Sequence, residues 1–196
     1  MLIAGMDEVG WGAFAGPVVS VVFVASEQTL ALMPSGVTDS KKMSADARQS
    51  MFQSILHAAH DFGLGYAFPR EIDSMTPGVA LQLSYERALK ELRCTPNHLI
   101  MDGNKPVKSW KGSQLAEPKA DLKYWQVSAA SIIAKVFRDN LMAELHKQHP
   151  MYGWDKNSGY GTPDHIQAIQ KHGLLLTGDD NAYQHRRSYC KKYYAV

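Results

Sequence analysis

The stretch Val18-Val19-Ser20-Val21-Val22-Phe23-Val24-Ala25 is apolar almost throughout and dominated by β-branched residues. Such side chains pack well on a pleated sheet, and the run is short for an independent helix, so it predicts a central β-strand. An apolar run from Leu2 to Asp7 precedes it and ends in acids and glycines, which indicates a second buried strand. Because only a short link separates the two runs, we expect an antiparallel pair.

Strand and helix patterns alternate along the rest of the chain. Phe62 to Phe68 is typical of a third strand weakened by two glycines, and His98 to Gly103 predicts another strand that ends in a carboxylate. Elsewhere apolar side chains recur at helical spacing behind capping residues or prolines. The predicted helices start at Ser44, start at Thr76-Pro77, span Ser128 to Leu145, and span Thr162-Pro163 to Lys171. This order predicts the α/β class, with a mixed central sheet flanked by helices and a helical C-terminal region.

The composition is that of a globular protein without a disulfide framework. Of the 196 residues 45% are hydrophobic, which excludes a disordered or collagen-like chain. Two cysteines are too few for a disulfide scaffold or a four-thiolate zinc site, and a net charge of +2 is too small for a polybasic binder. No signal-peptide pattern opens the chain, and its best apolar run, Pro17 to Ala25, is far shorter than the ~20 residues that cross a bilayer. We therefore expect a cytoplasmic protein without a membrane segment.

Three acidic groupings lie where apolar segments stop: Asp7-Glu8, Asp102 and Asp121. A carboxylate at a strand end can face a crevice while its backbone stays rigid in the sheet. Hard divalent cations such as Mg²⁺ prefer oxygen ligands, so a few convergent carboxylates make a metal site suited to phosphate chemistry. The alternative is that each acid simply ends a strand and lies in solvent. That alternative can explain any one acid taken alone, but it explains less well why all three groupings lie at the ends of apolar segments.

The adjacent pair Asp7 and Glu8 raises a geometric question. Neighbouring side chains of a regular strand point to opposite faces, so an unbroken strand cannot aim both at one site. Gly10 and Gly12 allow the chain to turn here, and we expect that turn to bring the two carboxylates together. The N–H groups of these glycines could also contact a phosphate or a sugar hydroxyl.

Five motifs follow one another along the chain. They are Asp7 to Val19, Asp39 to Ser44, Met101 to Asn104 together with Lys119 to Asp121, Ser128 to Asp139, and Gly159 to Thr162 with His165. In this order they resemble the ribonuclease HII family, whose opening signature is Asp-Glu-Ala-Gly-Arg-Gly followed by Gly-Pro-Val-Val. The resemblance covers nearly the whole chain, and the segment from Ser128 to Asp139 is its most specific part.

The resemblance implies a single ribonuclease H-like domain over residues 1–196, in which the region from about residue 150 to residue 196 forms a helical substrate-binding extension. It implies an endonuclease that hydrolyses the RNA strand of RNA/DNA hybrids and single ribonucleotides in duplex DNA, leaving 3′-hydroxyl and 5′-phosphate ends. The implied mechanism uses two Mg²⁺ or Mn²⁺ ions. The implied catalytic and metal-binding residues are Asp7, Glu8, Asp102 and Asp121. The expected partner is the nucleic acid itself, bound by a monomer.

The resemblance also implies which residues contact the substrate. Gly10, Gly12 and Tyr160 match the family positions that recognise the ribose 2′-hydroxyl, the group that distinguishes RNA from DNA. Lys41 matches a contact to a backbone phosphate. Trp11 departs from the family, which has an arginine between the two glycines, and indole offers one donor and an apolar face in place of a cation. The alternative is therefore a related metal-dependent nuclease, such as a resolvase, with a changed junction preference.

Other interpretations stay open at this stage. Tyr160 could be a core tyrosine beside a helix cap, and Lys41 a solvated charge near a helix start. The chain could also be a duplex-binding module without activity, although clustered acids would only weaken binding to phosphates. The basic and aromatic tail over residues 181–196, which includes Arg186, suits a duplex backbone as well as a solvated helix face.

Overall fold

A computed structural model of the protein describes residues 1–33, 44–176 and 184–193. The strands in these ranges are β1 (Ile3–Val9), β2 (Val18–Ala25), β3 (Asp61–Ala67), β4 (His98–Asp102) and β5 (Ser113–Glu117). The helices are α1 (Glu27–Leu32), α2 (Ala45–Ala58), α3 (Pro69–Ser74), α4 (Pro77–Lys90), α5 (Trp125–Gln148), α6 (Trp154–Asn157), α7 (Pro163–His172) and α8 (Arg187–Cys190). Short 3₁₀ turns cover Ala120–Leu122 and Pro150–Tyr152. None of the helices in these ranges is both long and apolar enough to span a membrane.

The strands form one sheet in the order β3-β2-β1-β4-β5. β1 runs antiparallel to β2, with Asp7 opposite Val21, and parallel to β4, with Met6 beside Met101. β4 is in turn parallel to β5. The sheet is therefore mixed, and both the predicted α/β class and the antiparallel opening pair are confirmed. β2 is buried along its whole length between β3 and β1, as its run of β-branched residues predicts.

The helix boundaries follow the capping residues in the sequence. The hydroxyl of Ser44 accepts a hydrogen bond from the N–H of Ala47 at the start of α2, and the hydroxyl of Thr162 accepts one from His165 at the start of α7. Both are the predicted N-caps. α7 ends before Gly173, whose φ of 78° lies in the region that favours glycine. α5 extends three residues further at each end than the apolar pattern predicts.

Glycines in the strands let two helices approach the sheet closely. A Cβ on Gly65 in β3 would overlap the carbonyl oxygen of Ser84 in α4. Gly5 in β1 lies in the same way against the backbone of Gln126 in α5. The glycines of β3, which the sequence predicts to weaken that strand, are therefore the positions where a helix packs on it.

The sequence misses two features of the sheet edge near the acids. β5 has the polar sequence Ser-Gln-Leu-Ala-Glu and is a strand because it pairs with β4. β1 continues through Val9, so the turn expected to bring Asp7 and Glu8 together begins only afterwards, at Gly10 with φ of 85°. Both acids therefore lie inside the strand, and it is not this turn that brings their carboxylates together.

The chain divides into two compact units. The first comprises residues 1–9, 19–66 and 82–136, and the second comprises residues 10–18, 67–81 and 137–196. In the first unit Ile100, Ala120 and Val127 form a buried cluster. In the second unit the rings of Tyr152 and Trp154 stack with their centroids 5.0 Å apart in a separate buried cluster. The four predicted catalytic acids all belong to the first unit.

Candidate active site

Two of the acids lie side by side where parallel strands end. The paired register of β1 and β4 ends with Met6 beside Met101, so Asp7 and Asp102 are each one residue beyond it. Cross-strand neighbours of a parallel pair share a face of the sheet, and the carboxyl ends of the two strands meet at one edge. The fold therefore brings together two acids that are 95 residues apart in sequence (102 − 7).

Asp7 is a deeply buried carboxylate close to other negative charges. Its residue is only 5% exposed. Burial raises its pKa well above the usual range, and the neighbouring charges of Glu8 and then Asp102 raise it further. Hydrogen bonds from the Ser131 side chain and the Glu8 N–H, the latter 2.8 Å long, oppose that rise. The site thus concentrates more negative charge than its own hydrogen bonds balance.

Glu8 leaves β1 on the other face and meets α4. Its Oε2 accepts a hydrogen bond of 2.6 Å from the hydroxyl of Tyr85. Ser20, which is opposite Glu8 in the register, exchanges a 2.6 Å hydrogen bond with Ser84 on the same helix. Burial, and then the charges of Glu8, Asp7 and Asp102, raise the pKa of Tyr85, so its phenol stays protonated and can donate. The sequence does not single out Tyr85, which lies within the helix predicted to start at Thr76-Pro77.

Asp102 and Asp121 are joined through one backbone amide. The N–H of Ala120 donates a 3.0 Å hydrogen bond to Oδ1 of Asp102. The chain reaches this point through Lys119, which has a left-handed φ of 61°, and Asp121 follows as a residue that is 5% exposed. Ala120 is itself fully buried. The turn over Ala120–Leu122 therefore places Asp121 next to the segment that binds Asp102.

The donor set suits a hard divalent cation. All four side chains offer carboxylate oxygens, which Mg²⁺ and Mn²⁺ prefer, and the raised pKa of Asp7 marks negative charge that a cation would neutralise. Within the described ranges, no three Asp, Glu, His or Cys side chains already stand in positions that would hold a metal ion together. The structure thus brings the acids into one region, and metal binding would have to draw their side chains closer.

The predicted substrate contacts fall in the second unit, apart from Lys41, which lies outside the described residues. Gly10 needs to be glycine, because its φ is 85° and a Cβ there would overlap Nε of Arg138. Gly12 has open space around its Cβ position, so packing does not require glycine. Trp11 is 37% exposed and Tyr160 is half-buried. The side chains of Trp11 and Tyr160 are therefore partly accessible.

Arg186 differs from the expectation of a phosphate-binding tail. It is fully buried, and its guanidinium donates to the carbonyl oxygens of Gly16 (2.8 and 3.0 Å) and Trp11 (2.9 Å). Burial, together with the charge of Arg138, lowers its pKa to about 9. Its partners lie 170 and 175 residues away in sequence, so no local pattern could have identified this function.

The comparisons with known proteins agree with one another. A family model described as Ribonuclease HII matches residues 4–192. A ribonuclease HII of Prochlorococcus marinus (strain MIT 9215) is 42% identical over 189 residues, which cover 96% of this chain and 89% of that protein. One from Wolbachia sp. subsp. Brugia malayi (strain TRS) is 44% identical over 174 residues, covering 88% and 83%. The solved structure of the ribonuclease H2 from Pyrococcus horikoshii OT3 is similar with a TM-score of 0.83 and 30% identity, covering 98% of this chain and 97% of that one.

Proposed function

Since this chain belongs to the ribonuclease HII family, we propose that four acids of its first unit bind metal and carry out catalysis. They are Asp7, Glu8, Asp102 and Asp121. The chain is an endoribonuclease that hydrolyses the RNA strand of RNA/DNA hybrids. The observation that supports these residues most directly is the environment of Asp7, whose pKa is raised by burial and then by the charges of Glu8 and Asp102. Carboxylates arranged to repel one another at a buried strand end are costly for a fold unless a cation balances them.

Enzymes of this family depend on divalent metal ions, and we propose that Mg²⁺ or Mn²⁺ occupies this site as a pair of ions. When bound, such ions supply an activated water and stabilise the leaving oxygen of the phosphodiester. The products expected from this chemistry are a 3′-hydroxyl and a 5′-phosphate. No covalent link between protein and nucleic acid is needed, so a nucleophilic side chain is not required.

Three of the four carboxylates are held by different parts of the first unit. Asp7 receives hydrogen bonds from Ser131 and the Glu8 N–H, and Asp102 receives one from the Ala120 N–H. Glu8 is held by the hydroxyl of Tyr85. These contacts limit the rotation of the side chains, so that less conformational entropy is lost when they bind a cation.

We propose that the second unit reads the substrate. Its residues from about 150 to 196 form the helical substrate-binding extension, and Tyr160 with the N–H groups of Gly10 and Gly12 recognises the ribose 2′-hydroxyl. The partial exposure of Tyr160 and the strict need for glycine at position 10 support this assignment. Lys41 contacts a backbone phosphate. With these contacts the enzyme also cleaves at single ribonucleotides in duplex DNA.

A second candidate function rests on Trp11. Trp11 is 37% exposed, so its indole is available to a bound duplex. It offers an aromatic face at the position where the family's opening signature has an arginine. An aromatic face can stack on an exposed sugar or base, whereas it has no positive charge with which to bind a phosphate. The alternative enzyme is a metal-dependent nuclease whose preferred junction differs from that of its relatives.

One set of cleavage assays tests both the proposed function and the alternative nuclease. Wild-type protein is incubated with an RNA/DNA hybrid, a DNA duplex with one ribonucleotide, a uniform DNA duplex and a branched DNA, with Mg²⁺ and Mn²⁺ compared and every cut mapped. We expect cuts in the hybrid and at the ribonucleotide, with 3′-hydroxyl and 5′-phosphate ends. Cleavage of the branched DNA in preference to both would favour the altered nuclease, and failure to cut the hybrid would refute the proposed function.

A further inference from the structure

Arg138 lies at the centre of the segments assigned to substrate recognition. It extends from α5 and is fully buried. Its Nε donates to the carbonyl oxygen of Pro17 at 3.0 Å and its Nη2 to that of Ala15 at 2.9 Å. Its Nη1 donates to the carbonyl oxygen of Ser158 at 2.7 Å. One guanidinium thus binds both the loop after β1 and the turn that precedes Tyr160.

The same side chain contacts two of the proposed substrate-reading residues. The Tyr160 ring centroid lies 5.4 Å from the central guanidinium carbon of Arg138, which is the distance of a cation–π contact. Gly10 lies against Nε, and a Cβ at that position would overlap it. Arg138 therefore contacts the Tyr160 ring and the Gly10 backbone at the same time.

We propose, resting on the function proposed above, that Arg138 is a positioning residue for ribose recognition, which holds Tyr160 and Gly10 in the arrangement that distinguishes a ribonucleotide from a deoxyribonucleotide. It does not contact the substrate itself, because its donors are used on three backbone carbonyls and no part of it is exposed. Because Arg138 is fully buried, its charge is not available to a phosphate of the substrate.

Arginine is required by the geometry of the three acceptors. The guanidinium presents its N–H groups in a fixed planar fork, whereas lysine offers one compact ammonium on a flexible stem. Lysine could keep the charge but could not bind Ala15, Pro17 and Ser158 together while facing the Tyr160 ring. Backbone bonds from Phe14 and Ala15 to Gly159 join the two segments as well, so the particular contribution of Arg138 is the placement of the Tyr160 ring.

The chain offers a matched control in Arg186. Both arginines are fully buried and both donate to carbonyl oxygens of the loop after β1. Arg186 binds Gly16 and Trp11, and its guanidinium lies over the ring of Tyr189, whereas that of Arg138 lies over the ring of Tyr160. Replacing either arginine by lysine removes a buried guanidinium that donates to carbonyl oxygens of this loop. Only the Arg138 replacement removes the contacts to Ser158 and Tyr160.

The first test is amide hydrogen exchange in the free protein, which needs no activity. Arg138→Lys is expected to speed exchange of the Tyr160 amide by at least about tenfold, because the turn loses its guanidinium, while Arg186→Lys leaves that amide within about twofold of wild type. Equal acceleration by both variants, or none by Arg138→Lys, would overturn the proposal. If Arg138→Lys does not fold, as judged by near-ultraviolet circular dichroism, Gly10→Ala takes its place, since its Cβ displaces the guanidinium. Changes confined to residues 10–17 in Gly10→Ala would then overturn it.

The second test measures recognition in the Asp102→Asn background, which is expected to bind the duplex without cutting it. The ratio of affinities for a duplex with one ribonucleotide and for the same duplex without it is expected to fall about tenfold on Arg138→Lys, and Tyr160→Ala added to it should cause no further fall, as coupled residues show. Additive losses would contradict a shared function. Cleavage of a plain RNA/DNA hybrid by the wild type is the separate test of the proposed function, so a failure there is distinguishable from a failure of Arg138.

Discussion

The hydroxyl oxygen of Tyr85 lies 2.6 Å from Oε2 of Glu8, across 77 residues of sequence. Tyr85 is 3% exposed, and burial together with the nearby carboxylates raises the pKa of its phenol. A protonated phenol can only be the donor to an ionised carboxylate, so the direction of this hydrogen bond is fixed. Through it α4 holds Glu8, one of the four acids proposed to bind metal.

Tyr85→Phe is therefore expected to weaken metal binding more than it weakens the fold. A hydrogen bond to a charged group contributes about 1.5–3 kcal/mol, so the Mg²⁺ concentration at half-maximal hybrid cleavage should rise by roughly tenfold. The measurement is a Mg²⁺ titration of cleavage rate. Tyr124→Phe is the matched control, because it removes the same hydroxyl from a 2.9 Å bond to Glu117, which is not one of the four acids. An equal rise in both variants would contradict the function given to Tyr85.

Trp11→Arg is expected to tighten binding to a DNA duplex containing one ribonucleotide. The substitution restores a cation that can contact phosphate, which should increase affinity by about threefold to tenfold at low salt and steepen the slope of log K against log salt by about 1. Binding is measured with Mg²⁺ replaced by Ca²⁺ over a salt series. Val79→Arg adds the same charge at another exposed site and should have a smaller effect. Equal or weaker affinity of Trp11→Arg at matched salt would count against this assignment of position 11.

Two glycine substitutions distinguish a glycine that close packing requires from a glycine that only adds backbone flexibility. Gly5→Ala places a methyl group against the backbone of Gln126 and should destabilise the protein by about 3 kcal/mol, the upper part of the range for overpacked sites. Gly78→Ala, in α4 with nothing within 4 Å of the new Cβ, should be neutral or stabilise by up to about 1 kcal/mol. Urea unfolding followed by circular dichroism gives both values. A tolerated Gly5→Ala would contradict the close approach of α5 to β1.

The pH dependence of stability should report the buried histidines of the second unit. Burial, and then the charges of His165 and His149, lower the pKa of His185 to about 3, while an unfolded histidine titrates near 6.5. Below pH 6.5 the unfolded chain therefore binds a proton that the folded chain does not. The stability that the neutral ring contributes is present above pH 6.5 and is lost as the pH falls from about 6.5 towards 3, at up to about 1.4 kcal/mol per pH unit.

His185→Gln removes this titration while keeping an amide that can accept from the N–H of Leu175, as Nδ1 of the histidine does at 2.9 Å. The free energy of unfolding of the wild type minus that of the variant should decrease from pH 7 to pH 5. A difference that is constant over this interval would show that His185 titrates in the folded protein as it does in the unfolded chain, which would contradict the lowered pKa.

Where a local pattern decides the structure, the sequence predicts it well. The β-branched run of β2 and the sequence from Thr162 to Gly173 around α7 carry their own strand, cap and stop signals. β5 has no such signal, because Ser113–Glu117 is polar and becomes a strand only through pairing with β4. β1 continues past Glu8 because its residues up to Val9 pair with β2. The glycines at positions 10 and 12 come after this pairing and do not interrupt it.

Family motifs predict the four proposed catalytic acids, whereas no motif predicts the residues that hold them. Tyr85 and Ser131 are brought to Glu8 and Asp7 by helix packing, and nothing in the spacing of α4 marks one tyrosine as a donor to an acid in β1. Arg186 shows the converse, since a basic residue in a basic tail predicts a surface contact and the fold buries it on two carbonyl oxygens. Long-range partners of this kind are properties of the tertiary structure alone.

The central claim is that the clustered carboxylates bind the ions that cleave RNA, and Asp102→Asn tests it most directly. Asparagine keeps an oxygen for the N–H of Ala120 and removes only the charge. Mg²⁺-dependent cleavage of an RNA/DNA hybrid should fall by about 10³-fold or more, corresponding to several kcal/mol of transition-state stabilisation, while hybrid binding is retained. Asp155→Asn, at a partly exposed acid that contacts His146, should leave cleavage at the wild-type rate. Cleavage by Asp102→Asn at the wild-type rate would contradict the account.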